Sequence, residues 1–211
     1  MSNTNLREVN FDGITYVAPN WQQMGDFTFS LAQKITASGK KFDRLVALAK
    51  GGWTWSRTLV DYLDIPNLSS TRLKSYTDVN KNSEKIDVIQ PLADRITGER
   101  ILIFDDVADS GRTLDFAKKY MESLGAKSVT IATLCSKPRS ICTPDYCAFT
   151  TTSWVIFPHE YREFIEQAVK SWCTNKVNSK ECRSRLLEIG IPDKQIDHFL
   201  PKVLSKVSSK K

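Results

Sequence analysis

The sequence predicts an α/β fold: a central, mostly parallel sheet flanked by helices, followed by a small three-helix subdomain. Short apolar runs alternate with amphipathic helical patterns through most of the chain, as βαβ units require. Two of the runs, at residues 44–49 and 100–105, are largely apolar at consecutive positions, which is typical of parallel strands buried on both faces. After Pro158 the composition changes to helix formers. We therefore expect a main domain over residues 1–160 and a helical subdomain over residues 161–211.

The first part of the main domain predicts a helix followed by one βα unit. Apolar residues spaced four apart indicate a helix over residues 26–38, and Gly39 is a typical C-terminal stop. The run RLVALA at residues 44–49 predicts a buried strand, and a second helical pattern covers residues 53–63. Between them, Lys50-Gly51-Gly52 predicts a glycine-rich turn.

A hairpin and a second strand–helix–strand segment are predicted next. Residues 68–76 alternate in polarity as a strand does, and residues 86–89 predict the returning strand. The polar segment TDVNKNSE, residues 77–84, has no apolar face and predicts a mobile loop between them. The following strand, helix and strand are predicted over residues 100–105, 114–124 and 128–135.

The predicted subdomain consists of three helical patterns, over residues 161–173, 179–189 and 193–207. Asp193 is a favourable N-cap for the last of them. A unit of ~50 residues buries little apolar surface by itself, so we expect it to pack on the main domain.

The composition excludes several classes of protein. The 41% of hydrophobic and 26% of charged residues are ordinary for a globular protein, and no apolar run approaches the ~18 residues of a membrane-spanning helix. The first residues lack a secretory signal pattern, so we expect a cytoplasmic protein without a membrane partner. The five cysteines include no CxxC pair, which argues against a disulfide framework and a zinc site. The net charge of +6 suits an anionic partner.

The segment ILIFDDVADSGRTL, residues 101–114, predicts a binding site for a phosphorylated ribose. Its loop follows a buried strand and precedes a helix, where doubly wound folds bind ligands. Small residues let backbone N–H groups converge on a phosphate, and the helix N-terminus adds its positive end. Asp105 and Asp106 would repel a phosphate but accept hydrogen bonds from vicinal sugar hydroxyls. The residues assigned to ribose 5-phosphate are Asp105, Asp106, Val107, Ala108, Asp109, Ser110, Gly111, Arg112 and Thr113.

This segment resembles the signature of type I phosphoribosyltransferases for 5-phosphoribosyl 1-diphosphate (PRPP). The resemblance covers roughly residues 27–160 and implies the type I phosphoribosyltransferase fold. Lys50-Gly51-Gly52 resembles the diphosphate loop of that family, which usually has an arginine where this chain has lysine; the charge is kept and the bidentate geometry lost. The family also has a flexible loop, which Lys74, Ser75 and Tyr76 with the polar run after them resemble, and these residues are assigned to the diphosphate too.

Residues 135–160, CSKPRSICTPDYCAFTTTSWVIFPHE, resemble the base-binding end of 6-oxopurine phosphoribosyltransferases. By that likeness Trp154 stacks on the purine, backbone groups around Val155 read the edge of the base, and Lys137 donates to a 6-oxo group. Glu160 matches an acidic position near the metal and the diphosphate.

The resemblance implies that a purine nitrogen displaces diphosphate from PRPP, in purine salvage. Mg²⁺, held mainly by PRPP oxygens and water, would neutralise the diphosphate. Asp109 matches the family acid that faces purine N7 and is the candidate for proton handling, with Asp105 and Asp106 as the other candidate catalytic residues.

The identity of the purine stays open between two alternatives. Lys137 favours a 6-oxopurine, because a cation complements a carbonyl group. His159 and the helical extension beyond Glu160 depart from short 6-oxopurine enzymes, and the extension resembles that of the crenarchaeal type of adenine phosphoribosyltransferase. We expect adenine as the base and AMP as the product, with a hypoxanthine, guanine or xanthine enzyme as the alternative.

A second alternative is a non-catalytic regulator that senses PRPP and binds nucleic acid. From residue 160 onward the chain has eleven Lys and Arg against seven Asp and Glu. These charges are scattered along helices, which favours a solvated face over a nucleic-acid surface. The loop Lys50-Gly51-Gly52, Asp109 and Trp154 look intact as catalytic and base-binding positions, which favours the enzyme. The resemblance also predicts a homodimer.

Overall fold

The computed structural model of the protein describes residues 6–77 and 84–208. The chain runs through β1 (Glu8–Phe11), β2 (Ile14–Val17), α1 (Trp21–Ala37), β3 (Arg44–Ala49), α2 (Trp53–Leu63), β4 (Asn67–Thr77), β5 (Glu84–Gln90), β6 (Arg100–Ala108), α3 (Arg112–Ser123), β7 (Ser128–Ser136), β8 (Tyr146–Thr150), β9 (Trp154–Val155), α4 (Tyr161–Thr174), α5 (Ser179–Ile189) and α6 (Asp193–Ser208).

These elements form two compact units. Gly25–Thr152 makes up one, called the sheet unit below, and Met1–Met24 with Ser153–Lys211 makes up the other, called the terminal unit. The boundary expected after residue 160 therefore differs from the observed division. The reason is that β9 pairs with β2, so residues 153–160 belong with the first strands and the last helices.

The sheet unit contains a six-stranded sheet in the order β5-β4-β3-β6-β7-β8. Every neighbouring pair is parallel except β4 with β5. After β3 the chain forms β4 and β5 on one side of the central pair of strands, and after β6 it forms β7 and β8 on the other side. The carboxyl ends of β3 and β6 thus meet at a topological switch point, where open α/β sheets bind ligands.

An apolar core fixes α3 on one face of this sheet. Leu114, Ala117 and Met121 of α3 are buried against Ile101 and Ile103 of β6. Side chains of the size of leucine, isoleucine and methionine each contribute about 1.5–3 kcal/mol when fully buried. Because α3 is held along its length, the loop that joins β6 to its N-terminus is held as well.

The helix α1 begins five residues before its predicted start at residue 26. Asn20 and Gln23 explain the earlier start: the backbone N–H of Gln23 donates to Oδ1 of Asn20, and the N–H of Asn20 donates to Oε1 of Gln23, both at 2.9 Å. This reciprocal capping satisfies two N–H groups at the helix start. The strands β1, β2, β8 and β9 were not predicted.

The terminal unit joins a three-stranded sheet, in the order β1-β2-β9, to the helices α4, α5 and α6. Its core packs Val9 and Tyr16 of the first two strands with Phe164 and Trp172 of α4 and Leu186 of α5. The three helices agree with their predicted ranges to within one residue. None of the helices within the described ranges combines the length and apolar character that crossing a bilayer requires.

Candidate active site

The predicted phosphate loop lies between the end of β6 and the start of α3. It consists of Asp109, Ser110 and Gly111, of which the first two are exposed. Gly111 is the N-cap of α3 and has a φ of 79°, a left-handed conformation that glycine adopts without strain. The loop therefore presents a hydroxyl group and the positive end of a helix to an anion.

Two neighbouring acids, Asp105 and Asp106, lie in the last part of β6. Asp106 is 7% exposed, and its backbone N–H donates to Oδ1 of Asp105 at 3.0 Å. Burial raises the pKa of Asp105 well above its usual value, and the charge of Asp106 raises it further. A ligand that donates hydrogen bonds, such as a pair of vicinal sugar hydroxyls, would offset the cost of burying these acids. The remaining predicted contacts are Val107 and Ala108, the last two residues of β6, and Arg112 and Thr113, in the first turn of α3.

The Lys50-Gly51-Gly52 loop approaches the end of β6 at close range. A β-carbon on Gly51 would lie 2.6 Å from Cγ of Asp106, and one on Gly52 would lie 2.5 Å from the carbonyl oxygen of Phe104. Neither position has room for a side chain, so the approach requires both glycines. The structure thus brings the two predicted substrate loops together, with Lys50 exposed.

The third predicted diphosphate segment, Lys74-Ser75-Tyr76, lies near the end of β4. Pairing between β4 and β3 ends at Arg72, which is opposite Ala49, while pairing with β5 continues to Thr77. Lys74 and Ser75 are exposed in this two-stranded extension. Most of the polar run predicted as a mobile loop, residues 78–83, lies outside the described residues.

Lys137 follows β7 and is buried next to the phosphate loop. It is 7% exposed, and its backbone N–H donates to the carbonyl oxygen of Ala108 at 2.9 Å. Burial lowers the pKa of Lys137, and the charge of Asp109 opposes that shift. Because acceptor oxygens stabilise a buried ammonium group, this position favours a ligand with a carbonyl or anionic group.

Sequence reasoning missed Arg139, which contacts a predicted catalytic residue. Its Nε donates to Oδ1 of Asp109 at 3.1 Å, and its Nη2 donates to the same oxygen. The two residues are thirty positions apart, and the sequence contains no periodic or motif signal that pairs them. Only the fold of the turn after Lys137 brings the guanidinium group to this carboxylate.

The predicted base-stacking residues belong to the terminal unit. Trp154 and Val155 form β9, which pairs in parallel with β2. Trp154 is 52% exposed, whereas Val155 is buried, so an indole face is accessible to a planar ligand. Glu160 is the N-cap of α4, and its Oε1 accepts a hydrogen bond from the backbone N–H of Phe157 at 3.4 Å.

The residues of the sheet unit fit the Mg²⁺ ion implied by the family resemblance if the substrate supplies most of its ligands. Within residues 6–77 and 84–208, no three His, Cys, Asp or Glu side chains cluster as a metal site. Asp105 and Asp106 offer carboxylate oxygens, and Mg²⁺ commonly binds one or two carboxylates together with substrate phosphates and water. The assignment of Glu160 as a metal ligand stays a prediction.

Comparison with known proteins identifies the family. The protein-family model described as the phosphoribosyl transferase domain matches residues 20–163. The chain belongs to this family. A solved purine phosphoribosyltransferase from Pyrococcus horikoshii Ot3 is similar to this phosphoribosyltransferase, with a TM-score of 0.61 and 33% sequence identity, and the similarity covers 68% of this chain and 92% of that chain. The central sheet flanked by helices is thus the type I phosphoribosyltransferase fold that the sequence predicts.

Curated relatives match a shorter part of this phosphoribosyltransferase. A hypoxanthine-guanine phosphoribosyltransferase of Lactococcus lactis subsp. lactis is 37% identical over 81 residues, which are 37% of this chain and 44% of the relative. One of Bacillus subtilis is 29% identical over 98 residues, which are 46% of this chain and 54% of the relative. The chain therefore spans about half the length of these curated relatives.

Proposed function

We propose that this chain is a purine phosphoribosyltransferase that transfers the phosphoribosyl group of PRPP to a 6-oxopurine, namely hypoxanthine, guanine or xanthine. The products are a nucleoside 5′-monophosphate and diphosphate. The observation that carries the choice of base is the burial of Lys137 beside the phosphate loop. Adenine, favoured from the sequence because of the helical extension, becomes the alternative.

The proposed binding of PRPP follows from the loops that meet at the switch point of the sheet. The loop of Ser110 and Gly111 would bind the 5′-phosphate through backbone N–H groups and the start of α3. Asp105 and Asp106 would accept hydrogen bonds from the ribose hydroxyls. The loop at residues 50–52, which approaches Asp106 closely at Gly51, would bind the diphosphate beside these acids. Phosphate, sugar and diphosphate then lie in the order in which PRPP connects them.

The choice of base follows from the chemistry of a buried cation. An ammonium group can only donate hydrogen bonds, and the oxygen at position 6 of an oxopurine accepts them. The amino group at position 6 of adenine is itself a donor and offers the Lys137 ammonium no acceptor at that position. The names of the curated relatives, hypoxanthine-guanine phosphoribosyltransferases, favour the same choice.

Roles for the remaining residues rest on the family resemblance. Trp154 would stack on the purine, backbone groups at Val155 would read its edge, and Asp109 would accept the proton of purine N7. Mg²⁺, bound by PRPP oxygens and by Asp105 or Asp106, would neutralise charge on the departing diphosphate. A homodimer is expected on the same ground, and sedimentation velocity would test it.

A panel of purines tests the proposal directly. The protein is incubated with PRPP, Mg²⁺ and hypoxanthine, guanine, xanthine or adenine in turn, and nucleotide formation is followed by chromatography. We expect turnover of one or more 6-oxopurines and little turnover of adenine. Turnover of adenine alone would overturn the choice of base. Absence of turnover with every base would overturn the proposal that the chain is an enzyme. In that second case, salt-sensitive binding of DNA or RNA would support the regulator.

A further inference from the structure

We propose that Arg139 is a positioning residue for Asp109, holding one oxygen of this carboxylate so that the other accepts the proton of the incoming purine. The inference rests on the proposed function, because it concerns the proton acceptor of that reaction. It adds a residue that the sequence analysis did not assign to the site.

Arg139 contacts the two carboxylate oxygens of Asp109 unequally. Nε and Nη2 of Arg139 both donate to Oδ1 of Asp109. Oδ2 receives neither bond, so it stays available to a proton-bearing ring nitrogen. Two donors from one planar guanidinium group restrict rotation of the carboxylate more than a single donor does.

Arg139 is itself held by a turn that is fixed to the phosphate loop. The backbone N–H of Ile141 donates to the carbonyl oxygen of Ser110 at 2.9 Å. At Gly111 the backbones approach so closely that a β-carbon would lie 2.5 Å from the backbone nitrogen of Cys142. The turn and the loop therefore form one rigid support, and Arg139 and Asp109 extend from its two sides.

The contribution of this pair to folding is small, which makes another role easier to detect. The side chains of Arg139 and Asp109 are 72% and 52% exposed, and exposed ion pairs stabilise proteins little. The charge of Lys137 also interacts with both members of the pair. Arg139 donates two hydrogen bonds to Oδ1 of Asp109 and is therefore the cation that we expect to fix the orientation of this carboxylate.

The test compares Arg139→Gln with Arg57→Gln. Arg57 is a matched control, because it is also 72% exposed and pairs with an aspartate, Asp61, on α2. For Arg139→Gln we expect kcat with a 6-oxopurine to fall roughly tenfold, since misplacing a reacting group costs rate even without loss of binding. The KM for PRPP should stay within about twofold of wild type, and Arg57→Gln should match wild type in both constants.

A double-mutant cycle decides whether the effect passes through Asp109. In an Asp109→Asn background, Arg139→Gln should cause no further loss of kcat. Arg139→Lys should recover part of the rate, because it restores a charge without the bidentate contact. Equal kcat for Arg139→Gln and Arg57→Gln in an active enzyme, or a full tenfold loss in the Asp109→Asn background, would overturn the positioning role. A wild-type protein that turns over no purine would instead overturn the proposed function.

Discussion

A β-carbon added to Gly51 would enter the space that the carboxyl group of Asp106 occupies. It would lie 2.6 Å from Cγ and closer still to Oδ1, whereas ordinary contacts begin at 3.4 Å, so one of the two groups must move by at least 0.8 Å. Asp106 is buried and adjoins Asp105, so neither the acid pair nor the loop can move without disturbing the other. Gly51→Ala therefore perturbs the proposed ribose and diphosphate contacts together.

A displacement of about 1 Å at a substrate-positioning group costs roughly 100-fold in rate. We expect kcat/KM for PRPP to fall by about this factor in Gly51→Ala, which corresponds to about 2.7 kcal/mol of transition-state free energy. Initial rates at varied PRPP and saturating base measure the effect. Circular dichroism and a thermal melt check that the variant is folded.

Gly25→Ala is the matched control for this substitution. Gly25 lies in α1, and a β-carbon there meets no atom within 4 Å. Alanine should leave kcat/KM unchanged and stabilise the helix by up to about 1 kcal/mol. If Gly51→Ala were as active as Gly25→Ala, the close approach of the loop to Asp106 would not matter for catalysis and the reasoning would be refuted.

Three further predictions concern the ionisable side chains of Asp105, Lys137 and Asp43. Since burial and Asp106 raise the pKa of Asp105, the folded state loses stability as the pH rises from the usual value of 3.8 through the raised one. Asp105→Asn should therefore raise the melting temperature at pH 7, by ~2–4 °C for each kcal/mol relieved, while lowering turnover; calorimetry showing a lower melting temperature would contradict this. Lys137→Met should raise the KM for hypoxanthine roughly tenfold or more and change that for adenine little, because an unpaired carbonyl is costly; equal effects on both bases in steady-state kinetics would argue against the assigned contact. The hydrogen bond from Arg100 lowers the pKa of Asp43 to about 2, so the stabilisation from this pair is present above pH 3.8 and is lost as the pH falls through about 2. Urea unfolding across that range should show a flatter pH dependence for Asp43→Asn than for wild type, and identical profiles would exclude the linkage.

The parts of the fold that the sequence predicted are those with strong local signals. The runs at residues 44–49 and 100–105 are apolar at consecutive positions, and their strands β3 and β6 lie at the centre of the sheet. Once both are parallel neighbours, their following loops must meet at the same edge. Gly51 and Asp106 were assigned to one substrate by the family resemblance, and the parallel pairing of β3 with β6 explains why the two residues lie together.

Other features depend on partners far away in the chain. The strand β9 has two residues, too few for a periodic pattern, and it exists because Val155 pairs with Val17. The contact between Arg139 and Asp109 depends on a turn whose conformation is set by the phosphate loop. The capping pair Asn20 and Gln23, in contrast, is a readable signal at the start of α1 that the sequence analysis did not use.

The expected base was chosen from a part of the chain that lies outside the assigned site. The expectation of adenine relied on the helical extension beyond Glu160, which contains no residue assigned to the purine. The positive charge of Lys137 favoured a 6-oxopurine from the sequence alone, and the burial of this residue strengthens that argument. A residue proposed to contact the substrate is a better guide to specificity than an appended unit.

The pairing of β2 with β9 also affects the order in which the protein can fold during synthesis. Val17 and Val155 are partners in the sheet although they lie 138 positions apart in the chain. At ~5–20 residues per second, the ribosome adds that segment in roughly 7–28 s. Throughout this time Val9 and Tyr16 have emerged without the helices that bury them. The hairpin of β1 and β2 is thus synthesised well before β9 and the helices that cover it. Its apolar face is the surface that a chaperone would encounter on the growing chain.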